Sequence, residues 1–213
     1  MKICFISAHT DDVEHSCGGS VAQFIRDGNE VYYAAFSIAE ESVPKELPRD
    51  ILLNEAKSAT RILGVKPGNL FIYKYPVRKF PQFRQEILED LIELRNKTNP
   101  DLVFLHSIYD THQDHQVIAT EGFRAFKNST ILGYELPANN ITFEATAFIP
   151  LDKTSVKKKI EALDCYKSQK LRLKHLGRKP HNLECVTALL QVRGHQIGTA
   201  YAEAFHVVRW IIM

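Results

Sequence analysis

Residues 3–14 read Ile3-Cys4-Phe5-Ile6-Ser7-Ala8-His9-Thr10-Asp11-Asp12-Val13-Glu14, and this stretch decides the fold. Its first half is a short, largely apolar run of the kind that forms a buried strand. Its second half places one imidazole and three carboxylates directly after that run. Carboxylates near a core are costly unless they are paired or bound to a metal. A second run, Leu102 to Leu105, leads in the same way to His112-Gln113-Asp114-His115. Two strands that each end in a His/Asp cluster suggest one divided site.

Between and after these runs, strand and helix patterns alternate. The pattern predicts strands at Lys2–Ala8, Glu30–Ser37, Leu70–Tyr75, Asp101–His106, Thr130–Glu135, Phe143–Leu151 and Phe205–Ile212. It predicts helices opening at Gly18-Gly19 and ending near Gly28, then Asp50–Leu63, Gln82–Lys97, Val117–Lys127, Asp152 to about Ser168, and Leu183–Val192. Gly177–His181 reads as a basic turn. Alternation of this kind implies an α/β domain over residues 1–213, with a mostly parallel sheet between two helical layers. In the commonest winding, strands one and four are neighbours, about 4.8 Å apart, and ligands bind beyond their carboxyl ends. The two clusters sit there.

Histidine and carboxylate without thiolate suit zinc or another borderline divalent ion in a catalytic site, where three protein ligands leave a position open. His9, Asp12 and His115 make such a set. A divalent ion lowers the pKa of water toward about 7, and Asp11 is then left as general base. His112 is available to polarise a carbonyl or protonate a leaving amine. Asp114 is placed to hold that imidazole in one tautomer. Simpler readings compete: Asp11 and Asp12 can cap a helix, and His112 and Asp114 can be a solvated loop. Gly18-Gly19 reads as a tight helix start or a ligand approach point, and Glu14 as a partner of His9 or a first-turn residue.

The composition limits the rest. The chain has 213 residues, 45% hydrophobic and 24% charged, with a net charge of +2, too small to argue for nucleic acid. No stretch approaches the ~18 apolar residues of a membrane span, and no secretory pattern precedes the first strand. Cys4, Cys17, Cys165 and Cys185 lack Cys-x-x-Cys spacing and read as reduced thiols, which fits a cytoplasmic protein. The basic residues of Lys157–Lys159 and Lys167–Lys179 read as a solvated helix face.

Ala8-His9-Thr10-Asp11-Asp12-Val13-Glu14 with Gly18-Gly19-Ser20 resembles the Ala-His-Pro-Asp-Asp-x-Glu…Gly-Gly signature of the LmbE-like, or PIG-L, N-acetylglucosaminyl deacetylases. His112-Gln113-Asp114-His115 is similar to that family's His-x-Asp-His block. Weaker matches run through Asn54-Glu55-Ala56, Leu63-Gly64-Val65, Tyr166-Lys167-Ser168-Gln169 and Tyr201-Ala202-Glu203-Ala204-Phe205. The resemblance implies a Rossmann-like three-layer sandwich, one zinc ion, and removal of acetyl groups from N-acetylated amino sugars. It implies His9, Asp12 and His115 as ligands, Asp11 as base, His112 as catalytic histidine and Asp114 as the carboxylate behind it. It also implies a trimer or hexamer.

Two positions depart from the pattern. Thr10 replaces a proline. Leu52 replaces an arginine that the family associates with substrate hydroxyls, and leucine has no donor; Arg49, one turn earlier, is the nearest substitute. Two other functions compete with a sugar deacetylase. One is an amidohydrolase on a non-sugar acyl amine. The other is a non-catalytic sugar- or nucleotide-binding module, with Gly18-Gly19 at a helix N-terminus facing a phosphate.

Overall fold

The structure is a computed structural model that describes residues 1–177 and 183–212. The elements, in chain order, are β1 (Lys2–His9), α1 (Asp12–Arg26), β2 (Glu30–Ser37), α2 (Ile51–Leu63), β3 (Leu70–Ile72), α3 (Arg84–Thr98), β4 (Leu102–His106) and α4 (Gln113–Ala125). They continue with β5 (Thr130–Tyr134), β6 (Ala147–Pro150), α5 (Lys153–Asp164), α6 (Lys167–His175), α7 (Leu183–Gln196) and β7 (Ala202–Arg209).

One seven-stranded sheet runs β3-β2-β1-β4-β5-β7-β6. The first five strands in this order are parallel, and β7 is antiparallel to both β5 and β6. β1 lies between β2 and β4, with Ile3 beside Leu102 and Phe5 beside Phe104. The predicted adjacency of strands one and four therefore holds, and the reversal of strand order falls between them.

The period of two in β1 divides its side chains between two cores. Ile3 and Phe5 face α1, α2 and α5, packing with Val21, Leu63 and Ala162. Cys4, Ile6 and Ala8 face α3 and α4, packing with Ile87, Leu91 and Ile118. A strand covered on both faces reads as continuous apolar sequence, as this one does. α7 covers the β6–β7 end of the sheet through Leu190, which packs with Leu151 and Val156.

Several boundaries differ from the sequence reading, and two of the differences build the site. α1 begins at Asp12, not at Gly18, and α4 begins at Gln113, not at Val117. Asp12, Asp114 and His115 therefore stand in first helical turns, held more rigidly than loop residues. The expected helix from Asp152 to Ser168 divides into α5 and α6 at Cys165-Tyr166, although Asp152 does cap α5, accepting the Ser155 N–H at 2.7 Å. β3 and β6 are shorter than expected, and β7 starts three residues before Phe205. Of the basic turn at 177–181, only Gly177 lies among the described residues. No helix among the described residues is long and apolar enough to cross a membrane.

Candidate metal centre and cavity

β1 ends at His9 and β4 at His106, so the two clusters meet at the carboxyl edge of the sheet. His9 Nδ1, Asp12 Oδ2 and His115 Nε2 form a triangle with sides of 3.1, 3.3 and 3.4 Å. Tetrahedral zinc with bonds of about 2.05 Å requires ligand atoms about 3.3 Å apart. The opposite nitrogen of each imidazole faces a carboxylate: His9 Nε2 is 3.0 Å from Asp114 Oδ2, and His115 Nδ1 is 2.8 Å from Asp110 Oδ2. Metal-ligating histidines are usually oriented by such partners. With those outer nitrogens protonated, a tautomer assigned from the bonding pattern, three lone-pair atoms converge. A positive charge between them, a proton on His9 Nδ1 or a metal ion, stabilises that arrangement.

The electrostatics agree. Burial disfavours a charged His9, yet the carboxylates of Asp12 and Asp114 outweigh it and lift its pKa to about 10. Burial would likewise raise Asp12, but the imidazoles of His115, His9 and His106 hold it well below the usual carboxylate range. The donor set could hold a metal ion, and its chemistry fits a borderline divalent one.

Asp11 occupies the N-cap position of α1 but makes no side-chain cap bond. Asp12 accepts the His9 N–H at 2.8 Å. The capping reading therefore accounts for neither carboxylate. Burial and the neighbouring Asp12 raise the Asp11 pKa to about 6. His112 caps α4 through Nδ1, which accepts the Asp114 N–H at 3.2 Å. Its proton therefore resides on Nε2. Burial, then the charges of His115 and His9, push its pKa down to about 4.

The assignment of Asp114 needs correction. Its carboxylate lies 4.0 Å from His112 Nδ1 and instead bonds His9. It also accepts backbone N–H groups from Arg78 at 2.6 Å and Phe80 at 3.2 Å. Although burial alone would raise it, these bonds lower its pKa. Glu14 does not reach His9 either. It is fully buried and accepts from Tyr33 Oη at 2.6 Å and Tyr166 Oη at 3.2 Å. Both phenols also contact the Thr10 carbonyl, so Tyr33, Tyr166 and Glu14 grip the peptide that leads into Asp11.

Gly18 and Gly19 lie behind the site. α1 is kinked at Cys17 (φ −137°, ψ 26°). The N–H groups of Gly19 and Ser20 donate to Glu203 at 3.0 and 2.7 Å, and Lys159 Nζ donates to the Ser16 carbonyl at 2.9 Å. In an unbroken helix Ser20 N–H would pair with Ser16 C=O. Here a buried ion pair, Lys159–Glu203 at 2.7 Å, satisfies both ends of the break. The seat proposed for a phosphate thus holds a carboxylate of the chain itself. A Cβ on Gly19 would come within 2.4 Å of Leu151 Cδ1, which explains that glycine by packing. Arg49 is exposed, donates to the Glu40 carbonyl and does not line the cavity, so it does not replace the donor missing at Leu52.

Two residues of the centre were missed. Asp110 orients His115 and also accepts the His112 N–H at 2.8 Å. His106, at the end of β4, stacks on His115 at 3.8 Å between centroids. Its Nε2 lies 3.3 Å from Asp12 and accepts the Ala8 N–H at 3.0 Å, which leaves it a neighbour of the triangle and not a corner. Asp110, five residues before His115, was visible as one more carboxylate near the second cluster. His106 had only its place at a strand end.

The centre opens into a cavity of about 910 Å³ lined by Asp11 and His112 at its base and by Leu52, Val77, Arg78 and Leu136 among its walls. A His/Asp centre at the switch point of an α/β sheet, with a carboxylate and a neutral imidazole facing a large cavity, is an arrangement suited to hydrolysis that could hold a metal ion. A profile of the PIG-L family, described as GlcNAc-PI de-N-acetylase, matches residues 4–126. The chain belongs to this family and is a hydrolytic N-deacetylase. Among curated proteins it is similar to the uncharacterized deacetylase YaiS of Escherichia coli strain K12, with 26% identity over 78% of this chain and 90% of the relative. The fold is also that of an N,N'-diacetylchitobiose deacetylase from Pyrococcus horikoshii, with TM-score 0.78 and 21% identity over 97% of this chain and 83% of the other. It is equally that of GalB, the 4-carboxy-2-hydroxymuconate hydratase of Pseudomonas putida KT2440, with TM-score 0.77 and 20% identity over 100% of this chain and 98% of the other.

Proposed function

We propose that this chain is a zinc-dependent hydrolase that removes the N-acetyl group from a GlcNAc-type sugar or sugar conjugate. The observation carrying this reading is the near-tetrahedral spacing of His9 Nδ1, Asp12 Oδ2 and His115 Nε2 beside an uncommitted Asp11. His9, Asp12 and His115 would hold the ion, with Asp114 and Asp110 fixing the two imidazoles. Zinc, when bound, supplies Lewis acidity, lowering the pKa of water and polarising the acyl oxygen.

The chain's own residues supply the remaining steps. Asp11 accepts a proton from the water that attacks the acetamide carbon. His112 presents its Nε2–H to the oxygen on which negative charge develops, a donation that a neutral imidazole can make. The C–N bond then breaks as Asp11 returns its proton to the amine, giving acetate and the free amino sugar. Asp114 positions His9, and Tyr33, Tyr166 and Glu14 position the Thr10–Asp11 peptide. The free thiols of all four cysteines support a cytoplasmic setting.

The apolar wall at Leu52, Val77 and Leu136 favours one second reading, an acyl amine without a sugar. Acetate release from N-acetylhexosamines, chito-oligosaccharides and simple acylamines, with and without added zinc, tests both. Zinc-dependent release from the sugars supports the first reading. Release confined to the simple acylamines replaces it with the second, and a protein that never retains zinc removes both.

A further inference from the structure

Arg78 has a backbone conformation that its side chain disfavours. Its φ of +66° lies in the left-handed region, where any Cβ is strained. The conformation has a local purpose: the loop curls so that the N–H groups of Arg78 and Phe80 close on the Asp114 carboxylate. Curled backbone of this kind commonly cradles an anion. Glycine would make the same curl without strain, yet the chain carries an arginine. What the arginine adds at this position is its side chain.

That side chain lines the cavity. Nη1 donates to Ser42 Oγ, another cavity residue, at 3.0 Å. Arg78 is an exposed residue of the cavity and forms no ion pair within 4.0 Å among the described residues, so its guanidinium is available to a ligand. A guanidinium carries five donors, and Ser42 takes one. Nearby, Leu52 and Val77 offer no side-chain polar atom. Asn139, Gln169 and Arg172 also line the cavity, but a sugar hydroxyl lying against Leu52 and Val77 still needs a donor, and an unpaired polar group in a site weakens binding.

We propose that Arg78 is a substrate-binding residue whose guanidinium donates to oxygen acceptors on the group that carries the acetamide, and that it thereby sets substrate choice. This assignment rests on the deacetylase reading above. The acceptors are sugar hydroxyls or the oxygens of an anionic substituent.

Steady-state acetate release from N,N'-diacetylchitobiose and from N-acetylglucosamine 1-phosphate, by the zinc-loaded wild type, Arg78→Gly and Arg78→Ala, tests it. In both variants KM should rise about tenfold or more while kcat falls less than about threefold, the signature of lost binding. An equal rise on both substrates identifies hydroxyls, and a rise confined to the phosphorylated one identifies the anion. Thermal midpoints separate the backbone from the side chain: Arg78→Gly should melt no lower than wild type, and Arg78→Ala below Arg78→Gly, because only glycine relieves the φ strain. An Arg78→Gly protein with KM within twofold of wild type on both substrates would overturn the assignment. A wild type that releases acetate from neither substrate removes the sugar reading itself, and this assignment with it.

Discussion

Asp11 and Asp12 are adjacent in sequence and opposite in state: one is raised to about 6, the other held far below its usual range. Divergent environments of this sort mark a division of labour. Asp11→Asn should keep one equivalent of zinc by metal analysis while acetate release falls by about 10²–10⁴-fold; a loss under threefold would move the base elsewhere. Asp110→Asn should weaken zinc affinity by about 10–100-fold in a competition titration, since His115 loses the partner that orients it. At this scale the first cluster was legible because strand one runs straight into it. Asp110 was not singled out, because a carboxylate that bonds the far side of a ligand has no sequence spacing of its own. Asp114 was assigned to the right centre but the wrong imidazole: its neighbour in sequence, His112, turned out to be a helix cap, and its bonded partner lies 105 residues away.

At the scale of elements, the informative one is α1. Its first turn carries Asp12 and its kink at Cys17 is splinted by Lys159 and Glu203. Lys159→Met should destabilise the protein by about 3–5 kcal/mol in denaturant titration, because Glu203 would remain charged and buried without its counterion. An unchanged midpoint would show that the pair is not what holds the kink. Tyr166→Phe should lower stability by about 1 kcal/mol and reduce kcat, since one grip on the Thr10 carbonyl is lost. Sequence periodicity placed the start of α1 too late because Asp11, Asp12 and Glu14 are polar and their burial is not a hydrophobic signal. It merged α5 and α6 because the break at Cys165-Tyr166 contains neither glycine nor proline. What makes that break useful is a tertiary contact, the Tyr166 phenol on a loop 156 residues earlier.

At the scale of the whole molecule, strand order was legible because two buried parallel strands with polar ends can be adjacent in few windings. The antiparallel β7 was harder to place, since its neighbours are set by contacts and not by alternation. Burial predicts the reactivity of the thiols. Cys4 and Cys17 are fully buried, and burial pushes both pKa values up, whereas Cys185 is exposed. Alkylation of the native protein followed by peptide mass spectrometry should modify Cys185 readily and leave Cys4 and Cys17 unmodified until the chain unfolds globally.

β7 enters the sheet between β5 and β6, and it brings Glu203. A nascent chain emerging from the ribosome would therefore display the candidate ligands and the proposed base long before it acquired the splint behind them. Non-local pairings of this kind form late in folding. A chain ending at residue 198 would contain His9, Asp11, Asp12, His112 and His115 and still fail to retain zinc, whereas adding a peptide spanning β7 should restore binding. On this reading, competence to hold the metal would arrive with β7.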